Sequence, residues 1–204
     1  MEKIWPAEEF VSKERYYRRD FFNTLPGVKN LQLIGTQGEN GIANLGLFNS
    51  LVHIGANPPM LGFIMRPLTV PRQTYENIKA NRYYTFNQVH RGILDAAHQA
   101  SAKYTKEQSE FEAVGLYPQY TNLVKAPYVA EAKVKIGMEY LEEYEIKANG
   151  TILVIGKVIE VILPEEVISE TGHIDTAVLD GVGVAGLDAY YGLEYLGKKA
   201  YPRP

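Results

Sequence analysis

Short apolar runs separated by glycine and proline recur along the chain, and they predict β-strands. Residues 31–36 and 42–45 are mostly apolar, and the polar, glycine-containing stretch 37–41 lies between them. This order predicts an antiparallel hairpin. A further compact apolar run covers residues 60–65 and ends at an Arg-Pro pair, and residues 83–87 form another aromatic-rich run. We therefore expect several strands in the first half of the chain.

A second hairpin is predicted later, where apolar residues alternate at period two. Ala132, Val134, Ile136, Met138 and Tyr140 follow this alternation, which is typical of a strand with one buried face. The Asn-Gly pair at 149–150 is a strong hairpin-turn signal. The β-branched run 151–163 then predicts a long partner strand.

Helical signals are few and short. Thr74 is a suitable N-cap for a helix that begins there, and Pro71 keeps the preceding backbone out of the helical region. Ser109 would cap a second helix that carries Phe111 and ends at Gly115. Six or so strands with few short helices predict a mainly β chain, an antiparallel barrel or sandwich, with residues 1–204 as one domain.

Composition and charge narrow the classes of function. The 204 residues carry a net charge of −3 and contain no cysteine. Disulfides, thiol catalysis and cysteine-based metal sites are therefore excluded, and a cytoplasmic protein is favoured. The charge gives no support to nucleic-acid binding. No stretch approaches the apolar length of a membrane span, and the acidic residues near Met1 argue against a secretory signal.

Three local patterns have ordinary interpretations. The basic and aromatic stretch 15–19 reads as a surface turn or helix end. Residues 181–186 match the letters Gly-x-Gly-x-x-Gly but leave no room for a βαβ unit, so a flexible loop is favoured over a dinucleotide site. The four histidines form no recognised metal-ligand pair, and we expect no metal site.

Two segments suit a phosphate-bearing planar ligand. Residues 44–50 follow a strand and carry two asparagines, a serine and Gly46, which would allow close backbone approach. Residues 65–74 hold two arginines beside a helix start, and both features favour an anion. A third small polar patch covers residues 100–103. On composition alone, a polar β-turn is the favoured interpretation of the first segment.

Four segments in order resemble the flavin reductase-like family, whose fold is the FMN-binding split β-barrel. They are ANLGLFNSLVHIGANPPMLGFIMRP, TYENIKANRYYTFN, SAKYTKEQSEFEAVGL and KAPYVAEAKV. The resemblance covers roughly residues 30 to 160, and the tail from Gly186 is similar to the flavoredoxin-like branch. It implies FMN as cofactor, bound in a cleft at the interface of a homodimer, with NADH or NADPH as a possible electron donor.

The resemblance also implies which residues hold the flavin. Residues 44–50 would line the isoalloxazine ring, Met65, Arg66 and the helix start at Thr74 would hold the ribityl chain and phosphate, and residues 101–102 would form a loop over the flavin. The predicted cofactor site is Asn44, Leu45, Gly46, Leu47, Phe48, Asn49, Ser50, Met65, Arg66, Thr74, Ser101 and Ala102.

Three functions stay open at this level. The first is an FMN oxidoreductase that uses NAD(P)H, and the second is a non-catalytic FMN electron carrier that exchanges electrons with a partner protein. The third is a split-barrel binding protein without flavin. Flavin redox chemistry belongs to the cofactor, so no catalytic side chain is required by the first two. His90 or His98 would be candidates for contact with nicotinamide.

Overall fold

The computed structural model describes residues 2–203 and consists mainly of antiparallel strands. The strands are β1 Lys29–Asn30, β2 Gln32–Gln37, β3 Ala43–Phe48, β4 Val52–Ala56, β5 Pro59–Met65, β6 Tyr83–Gln88, β7 Pro118–Gln119, β8 Tyr128–Val129, β9 Lys135–Ile146, β10 Thr151–Ile162, β11 Val182–Ala185 and β12 Ala189–Gly192. The helices are α1 Arg15–Thr24, α2 Gln73–Asn81, α3 Leu94–Gln99 and α4 Glu110–Val114, with short 3₁₀ turns beside them.

One seven-stranded sheet forms the body of the molecule. Its strand order is β3-β2-β6-β9-β10-β5-β4, and all its pairings are antiparallel. The Ser50 hydroxyl lies just beyond β3 and exchanges hydrogen bonds of 3.1 Å with the backbone of Ile64 in β5. This contact joins the end of β3, at one edge of the sheet, to β5, which lies next to the opposite edge. The predicted mainly β split barrel is confirmed by this sheet and by the solved structures compared below.

Two apolar clusters lie on opposite faces of the sheet. Leu33 and Ile34 are neighbours in β2 but belong to different clusters, because successive strand side chains point to opposite faces. The Ile34 cluster includes Phe63, Tyr84 and Phe86, whose rings meet edge to face. The Leu33 cluster is covered by α3, α4 and β11. Both faces of the central strands are therefore buried.

The two predicted hairpins are present. β2 pairs with β3, and β9 pairs with β10 around Gly150, whose φ of 71° is the left-handed conformation that its turn requires. The first strand of the late hairpin was placed too early, at residue 132. It begins at Lys135 and continues to Ile146.

Three other expectations are corrected. α2 begins at Gln73 with Arg72 at the N-cap, so Thr74 is not the cap; its hydroxyl donates to the Asn44 side chain instead. Ser109 is the N-cap residue of α4 and Gly115 follows its last turn, as predicted, but the Ser109 hydroxyl donates to the Ala43 carbonyl and makes no cap hydrogen bond. Residues 182–185 are a buried strand paired with β1 and β12, not a flexible loop.

The helices are short. None of those within residues 2–203 is long and apolar enough to cross a bilayer. The basic stretch 15–19 forms the start of α1, whose Phe21 packs on Phe10 with ring centroids 4.4 Å apart.

Candidate functional site

A cavity of about 450 Å³ lies at the end of β3, and we call it the main cavity. Its walls come from the loop after β3, from the end of β5 and the start of α2, and from the loop between α3 and α4. The end of α1 and the loop between β11 and β12 complete it. Segments distant in sequence therefore meet here because the sheet brings their ends together.

Every residue predicted for the cofactor site lines the main cavity. The predicted residues along its wall are Asn44, Leu45, Gly46, Leu47, Phe48, Asn49, Ser50, Met65, Arg66, Thr74, Ser101 and Ala102. The cavity volume is within the range of small-molecule and cofactor sites, about 300 to 1,000 Å³. The three predicted segments thus form a single enclosure.

The side chain of Asn44 is fully used inside the protein. Its carbonyl oxygen accepts hydrogen bonds from the hydroxyls of Thr36 and Thr74, at 3.1 and 3.2 Å. Its amide nitrogen donates to both carboxylate oxygens of Glu110 at 2.9 Å. Glu110 also accepts the backbone N–H of Leu45 at 2.9 Å. We call these residues the buried network, and they fix the backbone of β3 against α2 and α4.

Glu110 is an unusual residue in this network because it is a carboxylate with only 5% of its surface exposed. Burial raises the pKa of Glu110, since the charged form loses its hydration. The Leu45 N–H and the Asn44 amide oppose that rise by hydrogen bonding to the charged form. The carboxyl group therefore responds to pH at a higher value than an exposed glutamate.

Close packing makes a glycine necessary at position 46. A Cβ atom there would lie 2.9 Å from both the Thr74 hydroxyl oxygen and a ring carbon of Phe48. Gly46 itself lines the main cavity, beside Phe48 and Thr74. Asn49, further along the same wall, donates to the Gly186 carbonyl at 2.9 Å.

Two arginines face the main cavity, and they differ in environment. Arg66 is exposed at the end of β5, whereas Arg72 is half-buried at the start of α2. The Arg72 Nε atom is buried and has no hydrogen-bond partner among residues 2–203. One of its terminal nitrogens makes only a long contact, 3.4 Å, with the Pro67 carbonyl. A buried, unpaired cationic donor is costly in a folded protein, and residues 2–203 supply no acceptor for this one.

The start of α2 adds to this electrostatic character. The first N–H groups of a helix lack intrahelical partners and carry a partial positive charge. Glu76 accepts the Arg72 N–H at 3.2 Å and pairs with Lys106 at 2.6 Å. The hydrogen bond from Lys106 lowers the pKa of Glu76, so that side chain stays ionised and holds the loop before α4 against the helix.

The histidines considered for nicotinamide contact are engaged elsewhere. His98 Nδ1 lies 2.6 Å from the Tyr190 hydroxyl, which ties α3 to β12. His90 contacts the Glu131 carbonyl at 3.0 Å and accepts the Gly92 N–H. Neither histidine lines the main cavity.

Sequence reasoning missed several residues of the cavity wall. The unpredicted residues are Asn23, Ile64, Pro71, Arg72, Gln73, Ala100, Glu110 and Leu187. Arg72 was visible as the second arginine of its segment. Glu110 looked like an ordinary acidic residue in the first turn of a helix. Asn23 and Leu187 come from the two ends of the chain, and no local signal links them.

This geometry defines a class of protein, a split barrel with a cofactor-sized cavity at its strand ends. Residues 29–179 match the family model of the flavin reductase like domain. The chain therefore belongs to the flavin reductase-like family of flavin-related oxidoreductases, as its sequence segments predicted.

Solved structures and a curated relative are similar to this chain. A split-barrel protein from Shewanella frigidimarina, with a provisional flavin reductase assignment, is 39% identical, with a TM-score of 0.94 over 98% of this chain and 100% of that one. The flavoredoxin of Desulfovibrio vulgaris (Miyazaki F) shares the fold, at 23% identity and a TM-score of 0.74 over 85% and 91% of the two chains. An uncharacterised protein of Deinococcus radiodurans is 26% identical over 162 residues, 75% of this chain and 70% of that relative.

Proposed function

We propose that the chain is an FMN-binding oxidoreductase that takes electrons from NADH or NADPH. The observation that carries this proposal is the buried, unpaired Nε of Arg72 beside the start of α2, in a cavity lined by all the predicted flavin residues. The nicotinamide donor is the part of the proposal that rests on the family alone.

The residues present fit FMN in both halves of the cavity. A flat ring suits the β3 wall of the main cavity at Gly46, which has no side chain of its own. A phosphate suits Arg72 and the first N–H groups of α2, since a guanidinium and a helix start both favour anions. The apolar walls formed by Leu47, Phe48 and Met65 suit the ring and not the phosphate.

In this proposal, the parts of the cavity wall have different roles in binding the flavin. A bound flavin supplies the redox chemistry itself. The loop after β3 orients the ring, and the buried network keeps that loop in place. Arg72 holds the phosphate and, with the apolar wall, limits water around the ring.

A homodimer is part of the same proposal. The family resemblance implies that the flavin cleft lies between two subunits. Light scattering coupled to gel filtration would test this, and a monomer that binds FMN tightly would contradict it.

The visible spectrum of the purified protein, with FMN added, tests the proposal. We expect a bound flavin spectrum that bleaches under anaerobic conditions on addition of NADH or NADPH. A flavin spectrum that is indifferent to both nucleotides would instead indicate an electron carrier that works with a protein partner. A protein that leaves FMN unbound would overturn the proposal.

A further inference from the structure

Glu110 places a buried carboxylate in the wall of the main cavity without a cation beside it. The residue is 5% exposed and lines the cavity. Among residues 2–203, no lysine, arginine or histidine forms a salt bridge with it. Charged groups that are this deeply buried are usually paired with an opposite charge. The charge of Glu110 is therefore available to act on whatever occupies the cavity.

The titratable groups on the neighbouring elements are directed to other partners. β3 has no titratable side chain, and within α4 itself Glu112 is exposed. Lys106 pairs with Glu76 at 2.6 Å, and His98 of α3 contacts Tyr190. The charged or titratable residues on the cavity wall and on the elements packed against α4 are Arg66, Arg72, Glu76, Asp95, His98 and Lys106. None of them shares a hydrogen bond with Glu110 in the part of the chain that the structure describes.

Glu110 is linked directly to the wall that we propose for the flavin ring. One of its oxygens accepts the N–H of Leu45 at 2.9 Å, and both accept from the Asn44 amide at 2.9 Å. The next residue of β3, Gly46, lines the main cavity. Glu110 thus acts through its charge and through the β3 backbone, as a positioning residue that does not need to contact the ring.

The charge of Glu110 opposes any further negative charge in the cavity. Hydride transfer to bound FMN adds one negative charge to the flavin, and like charges repel more strongly in a partly buried site than in water. Charged groups near the ring tune the redox behaviour of a flavin. Burial already raises the pKa of Glu110, and a second negative charge nearby raises it further. A proton on the carboxyl group removes the repulsion.

We infer that Glu110 takes up a proton from solvent when the flavin in the main cavity accepts electrons, so that the flavin becomes easier to reduce as the pH falls. The hydride carries both electrons to the flavin, and Glu110 changes from carboxylate to carboxylic acid with one solvent proton. The inference rests on the proposed function, because it requires FMN in the main cavity. It holds for any electron donor.

The first test is the midpoint potential of bound FMN in wild type and in Glu110→Gln, measured by electrochemical titration with mediators. At about pH 8, we expect wild type to favour reduced over oxidised flavin about tenfold less than the variant does, which is a potential about 30 mV lower. At about pH 5 the difference should shrink, because the wild-type side chain is then mostly neutral.

Glu112→Gln is the matched control for this comparison. Glu112 lies on the same helix, is exposed and does not line the main cavity. Its substitution removes the same charge from the protein, so its potential should equal that of wild type at both pH values. Glu110→Asp keeps the carboxylate and should keep the pH-dependent difference from Glu110→Gln.

A second measurement uses wild type and does not depend on how Glu110→Gln folds. The infrared difference spectrum between the reduced and oxidised FMN-loaded protein should contain the C=O stretching band of a newly protonated carboxyl group. The band should shift in D₂O, because the proton is exchangeable. It should be present in Glu112→Gln and absent from Glu110→Gln.

The outcomes separate this inference from the proposed function. Failure of FMN to bind would overturn the proposed function and this inference with it. Bound FMN whose potential differs between wild type and Glu110→Gln by the same amount at both pH values, or not at all, would overturn the inference alone. Absence of the carboxyl band from wild type, or its persistence in Glu110→Gln, would also overturn it, because Glu110 would then not be the proton acceptor.

Discussion

The buried network and the two arginines lie on the same cavity but differ in how their polar atoms are satisfied. Asn44, Thr74 and Glu110 spend their side chains on one another and on the β3 backbone. Arg72 keeps a buried donor unpaired, and Arg66 reaches into solvent. The comparison teaches that a residue at the edge of a site need not contact a ligand. The network builds the wall, whereas Arg72 is the residue that we propose for an anion.

Asn44→Ala should have the largest effect and should act on stability. The change leaves the buried Glu110 carboxylate without its amide donor and the two threonine hydroxyls without their acceptor. We expect the free energy of unfolding to fall by about 3 kcal/mol, as for a charged buried group left unpaired. Chemical denaturation of the flavin-free protein measures it, with the exposed Asn122→Ala as control. A loss below about 1 kcal/mol would show that the network is not structural.

Arg72→Gln should lower the affinity for FMN and should not lower the stability of the fold. Loss of a charge-assisted hydrogen bond of about 1.5–3 kcal/mol corresponds to an FMN dissociation constant about 10- to 100-fold higher. The unfolding free energy of the flavin-free protein should be unchanged or higher, because an unpaired buried donor is removed. Fluorescence titration measures the affinity. Arg91→Gln, an exposed arginine paired with Asp180, is the control and should bind FMN normally.

Asn49→Ala should give a smaller effect, which reduces both the stability of the fold and the affinity for FMN. It removes the hydrogen bond to the Gly186 carbonyl, which is worth about 1 kcal/mol of stability. FMN affinity should also fall by a few-fold, because the backbone before Leu187 loses an anchor. A stability loss without any change in FMN affinity would place the Asn49–Gly186 hydrogen bond outside the ligand site.

The smallest of these effects should be the pH dependence of stability that Glu110→Gln removes. The folded-state pKa of Glu110 lies above its unfolded value, so the folded protein binds the extra proton more readily. The contribution of Glu110 to stability is therefore largest below the unfolded pKa and is lost as pH rises through the folded one. Unfolding curves from pH 7 to about pH 4 should show wild type gaining stability relative to Glu110→Gln as the pH falls. A constant difference would contradict the raised pKa.

Periodicity and turn chemistry predicted much of the fold. The Asn-Gly turn at 149–150 and the alternation that follows Ala132 are local signals, and they placed the late hairpin with an error only in its first residues. The start of α2 was misjudged because Thr74 is a good cap by residue type, while its hydroxyl is drawn to Asn44 by a tertiary contact. Residues 182–185 were misjudged because a glycine-rich segment is typical of a loop. Here it forms a strand that is stabilised by pairing with β1 and β12.

The cavity was predictable only where one segment supplies several residues. Residues 44–50 and 65–74 each carry their own signal, and the family resemblance joined them. Leu187 and Asn23 are brought together because the Gly186 N–H donates to the Asn23 carbonyl at 3.2 Å. No local pattern encodes this contact between distant parts of the chain. The burial of Glu110 depends on packing against β3, and its residue type alone predicts an exposed helix start.

The ratio of riboflavin to FMN dissociation constants, measured on wild type and on Arg72→Gln, tests the central claim most directly. Riboflavin has the same ring and ribityl chain but no phosphate. We predict that wild type prefers FMN by about tenfold or more, and that the preference falls close to one in Arg72→Gln. An undiminished preference in the variant, or none in wild type, would contradict the assignment of Arg72 and the start of α2 to the flavin phosphate.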